Sequence, residues 1–196
     1  MFTLYGDKIS GNCLKALYVA NYLGLDHKWV DISVLGGGAR TEEFLKINPY
    51  GQVPALQTGN GATLAQSNAI MLYLAEASAL VPEDPWARAK MNEWLFWEQY
   101  SHETAIAVTR FHVVYMGKSI AERDPVLVSK GEGALDRMEA HLNENRWFVG
   151  ESISLADIAL YAYTQFAPDA GFDLKGRPNI LGWLKRTAST LDLASG

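Results

Sequence analysis

Three side chains that could act on a thiol or an anion lie close together in the stretch DKISGNCLKAL, residues 7–17. Ser10 carries a hydroxyl group and Asn12 an amide, and both can donate a hydrogen bond to a negatively charged atom. Cys13 is the only cysteine of the chain, and a cysteine at a helix start can have a lowered pKa and act as a nucleophile. The same residues could instead cap a helix and fill a small buried space, so the stretch alone leaves both interpretations open.

Further along the chain, three positions could each serve structure or bind a ligand. Pro54 stands at the start of a predicted strand, where sheets tolerate proline, and base rates favour a trans bond before it. Ser67 is predicted to cap a helix, whose first N–H groups also form a favourable site for a carboxylate. Arg40 follows three consecutive glycines in a predicted loop and, taken alone, reads as a solvated surface charge.

The elements that must position these residues form an α/β pattern in the first part of the chain. Two runs of β-favouring residues flank a helical pattern, and such a βαβ unit has parallel strands. The runs VPALQ and ATLA flank Gly-Asn-Gly, which predicts an antiparallel hairpin. The predicted elements are strands at 2–5 and 27–32, helices at 13–23 and 42–46, the hairpin at 53–65 and a helix from Ser67.

The rest of the chain has helical patterns only. Residues 87–116 contain neither glycine nor proline, and they predict one helix of about 30 residues. Three shorter helices are predicted, at about 125–143, 155–166 and 178–191. We therefore predict an α/β plus all-α protein with an N-terminal domain at 1–78, a proline-containing linker at 79–86 and a helical domain at 87–196.

Composition and charge exclude several classes of protein. The chain of 196 residues has a net charge of −5 and no cluster of basic residues, so nucleic acid is not an expected partner. A single cysteine excludes a disulfide framework, and the four histidines lack metal-ligand spacing, so no metal is expected. The N-terminal residues do not resemble a signal peptide and no apolar run approaches about 18 residues, which predicts a cytoplasmic protein without a membrane partner.

One pair of residues has the appearance of a catalytic dyad but is predicted to be structural. Ser154 and Asp157, in SISLADIA, have the spacing of a helix capping box, and Ile153 stands where a hydrophobic staple is found. A serine and an aspartate without a nearby histidine cannot form a hydrolytic triad. We therefore predict that this pair begins a helix.

Four segments together resemble the glutathione S-transferase family over nearly the whole chain. In chain order they are LYGDKISGNCLK (4–15), NPYGQVPAL (48–56), AQSNAIMLYL (65–74) and SISLADIALY (152–161). The first is similar to the start of serine-type plant and bacterial members. The resemblance implies a thioredoxin-like domain with the order βαβ–ββα, followed by an all-helical domain.

The resemblance also implies which residues bind glutathione. The family holds the proline at position 54 in a cis peptide, which would let the main chain of Val53 pair with the extended glutathione peptide. Gln66 and Ser67 would hold its γ-glutamyl end. Arg40 falls where plant relatives place a lysine that binds the glycyl carboxylate, and arginine could bind that group as a fork.

Four residues compete for the task of activating the glutathione thiol. Lowering a thiol pKa by about two units needs roughly 2.7 kcal/mol, and one hydroxyl bond to a charged acceptor supplies roughly 1.5–3 kcal/mol. Ser10 matches the activating serine of serine-type relatives and is the expected catalytic residue, with Asn12 as its alternative. Cys13 could instead form a mixed disulfide, and Tyr5 falls where tyrosine-type members keep an activating phenol.

We expect from this resemblance a transferase that joins glutathione to a small, apolar electrophile, with no metal cofactor, and that forms a homodimer. The electrophile is expected beside the long helix, where the sequence clusters the aromatic residues Tyr100, Phe111 and Tyr115 with Arg110. Two alternatives stay open at this point. One is a glutathione-dependent disulfide or peroxide reductase built on Asn12 or Cys13, and the other is a non-catalytic binding protein of the same fold.

Overall fold

The computed structural model describes residues 1–193, which form two compact units that divide between Ala79 and Leu80. Leu80 lies within the sequence segment predicted as a linker, yet it is buried in the second unit and its carbonyl accepts a hydrogen bond from the N–H of Leu155. The chain therefore enters the second unit several residues before its first helix.

The first unit is a four-stranded sheet with three helices, in the predicted order. The strands lie in the order β2-β1-β3-β4; β1 and β2 are parallel, and the two other pairs are antiparallel. The predicted βαβ–ββα topology is confirmed. The elements are β1 (Phe2–Gly6), α1 (Gly11–Tyr22), β2 (His27–Asp31), α2 (Glu42–Ile47), β3 (Ala55–Gln57), β4 (Thr63–Ala65) and α3 (Ser67–Leu74), with a 3-10 turn at Gly38–Arg40.

The two helix starts nearest the candidate residues differ slightly from prediction. Helix α1 begins at Gly11 rather than at Cys13, so Ser10 occupies its capping position. The predicted cap at Ser67 is wrong by one residue, because the chain turns at Gln66, with φ 71°, and Ser67 is already the first residue of α3. Its hydroxyl donates to Asn12 instead of capping α3.

The regular elements of the second unit, within the described residues, are all helical, as predicted. Its first helical run starts at Pro85, two residues earlier than expected, because Asp84 caps the first turn and proline at this position loses no hydrogen bond. Two π-helical turns interrupt the predicted long helix. The run consists of α4 (Pro85–Trp97), a π turn (Glu98–His102), α5 (Glu103–Arg110) and a second π turn (Phe111–Tyr115), and is followed by α6 (Pro125–Glu144), α7 (Leu155–Thr164) and α8 (Pro178–Thr190), with 3-10 turns at Ile120–Glu122 and Ala167–Ala170.

The capping box predicted at the start of α7 is confirmed. Asp157 is fully buried and accepts hydrogen bonds from the N–H and hydroxyl of Ser154, both at 3.0 Å. Its other oxygen accepts from the N–H of Phe148 at 3.1 Å and the indole of Trp183 at 3.0 Å. The carboxylate therefore joins α7 to the preceding loop and to α8, which is a structural role.

None of the helices within residues 1–193 has the length and apolar character needed to cross a membrane.

Candidate functional site

The register of the sheet brings three of the candidate segments to one end of the first unit. Ala55 of β3 pairs with Tyr5 of β1 on one side and with Ala65 of β4 on the other. Because both neighbours run antiparallel to β3, the chain leaves β1 and β4 at the end where it enters β3. The loop to Ser10, the Val53–Pro54 pair before β3, and Gln66–Ser67 after β4 therefore share one edge of the sheet.

Ser10 is held by its backbone, and its hydroxyl makes no capping bond. Its N–H donates to the carbonyl of Asp7, and its carbonyl accepts from the N–H groups of Cys13 and Leu14, each at 3.0 Å. The side chain makes no cap hydrogen bond to α1. It bonds instead to the sulfur of Cys13. The hydroxyl is thus a half-buried donor at the positive end of α1 and is already in contact with a thiol.

Cys13 is fully buried and is held as a neutral thiol. Burial raises its pKa to about 11, an effect larger than the opposing hydrogen bonds from the N–H of Asp7 and the hydroxyl of Ser10. The Asp7 N–H lies 3.3 Å from the sulfur. A β-carbon added at Gly6 would lie 3.1 Å from the same sulfur, so the thiol fills the space beneath β1. These surroundings are those of a packing residue, because a reactive cysteine needs access and a lowered pKa.

Asn12 and Ser67 are bonded to each other across helices α1 and α3. The Ser67 hydroxyl donates to Oδ1 of Asn12 at 3.1 Å, and Lys15 Nζ donates to the same oxygen at 2.9 Å. Lys15 Nζ also lies 3.4 Å from Oδ1 of Asn68. This network ties the first turn of α1 to the first turn of α3. Two residues predicted from different motifs are thereby in direct contact.

Gln66 has a backbone conformation that residues with a β-carbon seldom adopt. It combines φ 71° with ψ 115° at the position before α3, and it is not a glycine. Such conformations cluster at sites where the surrounding structure imposes them for function. The side chain of Gln66 is exposed, and the residue directly precedes Ser67 in the chain.

The peptide bond between Val53 and Pro54 is cis, as the resemblance implied. Val53 is half-buried against the core cluster formed by Ala39, Phe44 and Ala55. The ladder of β3 begins only at Ala55, and among residues 1–193 no backbone group bonds to the N–H or carbonyl of Val53. An extended peptide could therefore pair with the main chain at this position.

Arg40 ends the 3-10 turn before α2, and its side chain contacts the turn after α2 that leads to Val53. Its Nη1 donates to the carbonyl of Tyr50 at 3.4 Å. Gly51 has φ +60°, and a β-carbon there would lie 3.0 Å from the carbonyl oxygen of Ala39, so this turn favours glycine chiefly for its conformation. The buried Asn48 closes the same turn by donating to the carbonyl of Gln52 at 2.6 Å. The guanidinium is thus an exposed cation on an ordered turn.

Tyr5 has a structural position in the sheet. Its hydroxyl donates to Oε1 of Gln57 at 3.1 Å, and its ring packs edge to face on Phe44 at 6.1 Å. This engagement disfavours the activating-phenol interpretation.

In the second unit, the aromatic residues expected around Arg110 separate into different groups. Arg110 is buried; its Nε binds a carboxylate oxygen of Asp169 at 3.2 Å and its guanidinium lies 4.4 Å from the centre of the Phe166 ring. Phe111 and Tyr115 stack on each other at 5.1 Å. Two residues of the predicted cluster, Phe111 and Tyr115, therefore lie together, whereas the guanidinium of Arg110 faces Asp169 and Phe166. Tyr100 is 85% exposed and lines a cavity of about 510 Å³ with Trp97, Ser101, Thr104, Lys130, Gly133, Ala134 and Arg137.

Two side chains of the network escaped the sequence analysis. Lys15 and Asn68 carry no motif, and a lysine inside an amphipathic helix is normally assigned to its wet face. A signal did exist: Asn12, Lys15 and Val19 have the spacing of one helix face, and Val19 is a core residue. The burial of Lys15 follows from that spacing.

Within residues 1–193, no group of three or more histidine, cysteine or acidic side chains is arranged to hold a metal ion.

Comparison with known proteins gives a consistent result for both units. Residues 9–77 match the family model of the glutathione S-transferase N-terminal domain, and residues 107–190 match that of the C-terminal domain. The chain is 30% identical to glutathione S-transferase 3 of Zea mays, covering 95% of this chain and 88% of that protein.

Solved structures agree with the family models. A glutathione S-transferase from Pseudomonas fluorescens Pf-5 is 44% identical with a TM-score of 0.92, covering 96% of this chain and 94% of the other. One from Xanthobacter autotrophicus Py2 is 40% identical with a TM-score of 0.91, covering 96% and 93%. With both units matched in sequence and in fold, the chain belongs to the glutathione S-transferase family.

Proposed function

We propose that this glutathione S-transferase binds glutathione at the shared edge of the first unit and that Ser10 stabilises its thiolate for attack on a small electrophile. The observation that carries the proposal is the register that joins Tyr5, Ala55 and Ala65, because it collects the three candidate segments at one edge. The bond between Asn12 and Ser67 supports the same arrangement at the level of side chains.

Glutathione has a carboxylate at each end, an ammonium group and a thiol, and the edge offers a partner for each anionic group. The main chain of Val53 would pair with the peptide. Ser67 and the N-terminal amides of α3 would bind the γ-glutamyl carboxylate, beside Gln66. Arg40 would bind the glycyl carboxylate. The thiol would then lie near the start of α1 and Ser10.

Ionisation of the thiol is the step that the protein must promote. The thiol proton leaves to solvent, and the thiolate sulfur forms a bond to an electrophilic carbon as the leaving group departs with its electron pair. A two-unit fall in thiol pKa corresponds to about 2.7 kcal/mol. A hydroxyl donor to the anion contributes about 1.5–3 kcal/mol, and the positive end of α1 contributes about 0.3–1 kcal/mol more. Ser10 has to turn its hydrogen from the Cys13 sulfur to make this contact. Together with the helix end, it then supplies most of the required preference without a general base.

The form of the disulfide-reductase alternative that is built on Cys13 needs this cysteine to form a mixed disulfide with glutathione. Cys13 is fully buried, and its raised pKa of about 11 keeps it protonated at neutral pH. These two properties favour the transferase. The non-catalytic alternative is disfavoured because the main-chain, carboxylate and thiol contacts would all be in place.

A pair of assays tests the proposal. Glutathione with a chlorinated nitrobenzene should give enzyme-dependent thioether, whereas a mixed-disulfide substrate should be reduced slowly or not at all. Cysteinylglycine, which lacks the γ-glutamyl group, is the matched control and should react poorly. Reduction of the disulfide without thioether formation would replace the proposal with the reductase.

We further propose a homodimer as the working form, with a small apolar electrophile as second substrate. Aromatic side chains of the long helical run are unusually exposed, among them Phe96 at 76% and Tyr100 at 85%, and a second copy would cover such a surface. A monomer mass by light scattering at micromolar concentration would contradict the dimer. The cytoplasmic location expected from the sequence stays a prediction.

A further inference from the structure

Lys15 is a fully buried lysine beside the candidate site. Its side chain is 0% exposed, although lysine is among the residue types that are least often buried. It lies on α1, and its ammonium contacts the amide oxygens of Asn12 on the same helix and of Asn68 on α3. Burying an ammonium costs several kcal/mol unless it is hydrogen-bonded. A position that keeps such a group must gain something that an apolar residue would not supply.

The ammonium determines which way the Asn12 amide is turned. Nζ has three donors and no acceptor, so the group that faces it at 2.9 Å must be the amide oxygen. The reversed amide would direct its NH₂ group at the ammonium, donor against donor. The Ser67 hydroxyl donates to the same oxygen at 3.1 Å and favours the same orientation. The donor end of the amide is consequently the end directed away from Lys15.

The ammonium of Lys15 also lies close to the N-termini of two helices, which carry partial positive charge. Asn12 is the second residue of α1 and Asn68 the second of α3, so Lys15 sits between two helix N-termini. Helix N-termini carry a partial positive charge, and a buried ammonium adds to it in a region of low dielectric. Two anionic groups, the thiolate and the γ-glutamyl carboxylate, are stabilised by such a field.

A third consequence concerns the hydroxyl of Ser67. It has a single hydrogen, which is donated to Asn12. When a carboxylate binds, that hydrogen has to turn to the ligand, and the Asn12 oxygen would lose a donor. Lys15 remains bonded to this oxygen, so reorientation of the Ser67 hydroxyl does not leave the Asn12 oxygen without a hydrogen-bond donor. Lys15 thus lowers the cost of binding.

We propose that Lys15 is a positioning residue for glutathione binding and thiol ionisation: its buried ammonium holds Asn12, and through Asn12 it orients the donors that face the two anionic groups. This rests on the proposed function. Lys15 acts chiefly through Asn12, its charge adds to the positive field of the two helix N-termini, and it does not itself touch glutathione.

The test is the pH dependence of the bound thiolate in Lys15→Met, which keeps the length and apolar stem of the side chain but removes the charge and donors. We expect the pKa of the bound thiol to rise by about half to one unit, so that turnover falls about 2- to 6-fold at pH 6.5 and recovers at high pH. The KM for glutathione should rise several-fold. A folded Lys15→Arg variant, which keeps the charge and donors, should have a thiol pKa and a KM for glutathione close to those of the unmodified protein. Lys28→Met, at an exposed position of β2, is the matched control and should leave both values unchanged.

A double-mutant cycle decides whether Lys15 acts through Asn12. Asn12→Ala should shift the thiol pKa in the same direction as Lys15→Met, and the shift in the double variant should be clearly smaller than the sum of the two single shifts. Additive effects, or a folded Lys15→Met with the pH profile and KM of the unmodified protein, would overturn the proposal. If Lys15→Met does not fold, the Asn12→Ala variant tests the proposal. An unchanged pKa of the bound thiol in Asn12→Ala would show that Asn12 does not transmit an effect of Lys15, and the proposal would fail.

The outcome is separable from that of the proposed function. If the unmodified protein binds no glutathione by calorimetry and forms no thioether, the function itself fails. If it is active and only the Lys15 and Asn12 variants are unaffected, only this inference fails.

Discussion

Replacement of Ser67 by alanine tests how the carboxylate site is built. The hydroxyl donates to Asn12 at 3.1 Å, so a bound carboxylate has to compete for its single hydrogen. A bond to a charged acceptor contributes about 1.5–3 kcal/mol, and the neutral bond that is given up contributes about 0.5–1.5 kcal/mol. The difference is about 1 to 1.5 kcal/mol. Ser67→Ala should therefore weaken glutathione binding by about 5- to 12-fold in Kd.

Calorimetric titration with glutathione measures this loss directly. The backbone amides at the start of α3 remain in the variant, so binding should weaken but persist. Ser189→Ala, at an exposed position of α8, serves as the control and should bind as the unmodified protein does. An unchanged Kd with an intact fold would remove the hydroxyl from the contact. A loss of more than about 50-fold would show that Asn12 does not compete for the hydrogen and that the reasoning about the network is wrong.

Two further predictions follow from groups whose pKa is shifted. With its pKa raised to about 11, Cys13 should be about 0.1% thiolate at pH 8, whereas an ordinary thiol would be roughly one quarter thiolate. Iodoacetamide should therefore label Cys13 at least about 100-fold more slowly in the native protein than in urea. Rapid labelling of the native protein would contradict this. Burial lowers the pKa of His141, which stacks on Phe148 at 5.1 Å, so the unfolded chain binds the proton more tightly. Between that lowered pKa and about 6.5, the free energy of unfolding should therefore rise with pH by at most about 1.4 kcal/mol per unit. Urea unfolding from pH 5 to 8 measures this slope, which His141→Gln should flatten; an equal slope in the variant would assign it to other groups.

The topology and most element boundaries of the chain could be predicted from sequence because local signals agreed with each other. The Gly-Asn-Gly turn and the alternating runs fixed the hairpin, and Gly61 has the positive φ that such turns require. The capping box at Ser154 and Asp157 is a local pattern of two residues, and it was identified for that reason. These features depend on neighbours within a few residues.

The features that escaped prediction depend on contacts between distant residues. The bond from Ser67 to Asn12 spans 55 positions, and the one from Lys15 to Asn68 spans 53. The spacing of Lys15 from Asn12 and Val19 indicates the helix face on which it lies, but nothing local shows that its ammonium reaches Asn68 on α3. The displacement of the α3 start by one residue goes with the positive φ of Gln66, a conformation that glutamine by itself rarely adopts.

The two interruptions of the long helix were missed for a different reason. Spacing arguments assume about 3.6 residues per turn throughout, and two π turns break that period between Glu98 and Tyr115. Residues that an uninterrupted helix would place on one face are thereby redistributed. No pattern in the sequence marks the two turns.

The central claim, that Ser10 stabilises the bound thiolate, is tested most directly by the pKa of the bound glutathione thiol in Ser10→Ala. Thiolate absorbance of the complex, followed against pH, gives this value without any electrophile. We expect the pKa to rise by one to two units, with turnover about 3- to 25-fold lower at pH 7 and recovering at high pH. The Kd for glutathione should be nearly unchanged, since Val53 and Ser67 hold the peptide. An unchanged thiol pKa in a folded Ser10→Ala variant would contradict the account.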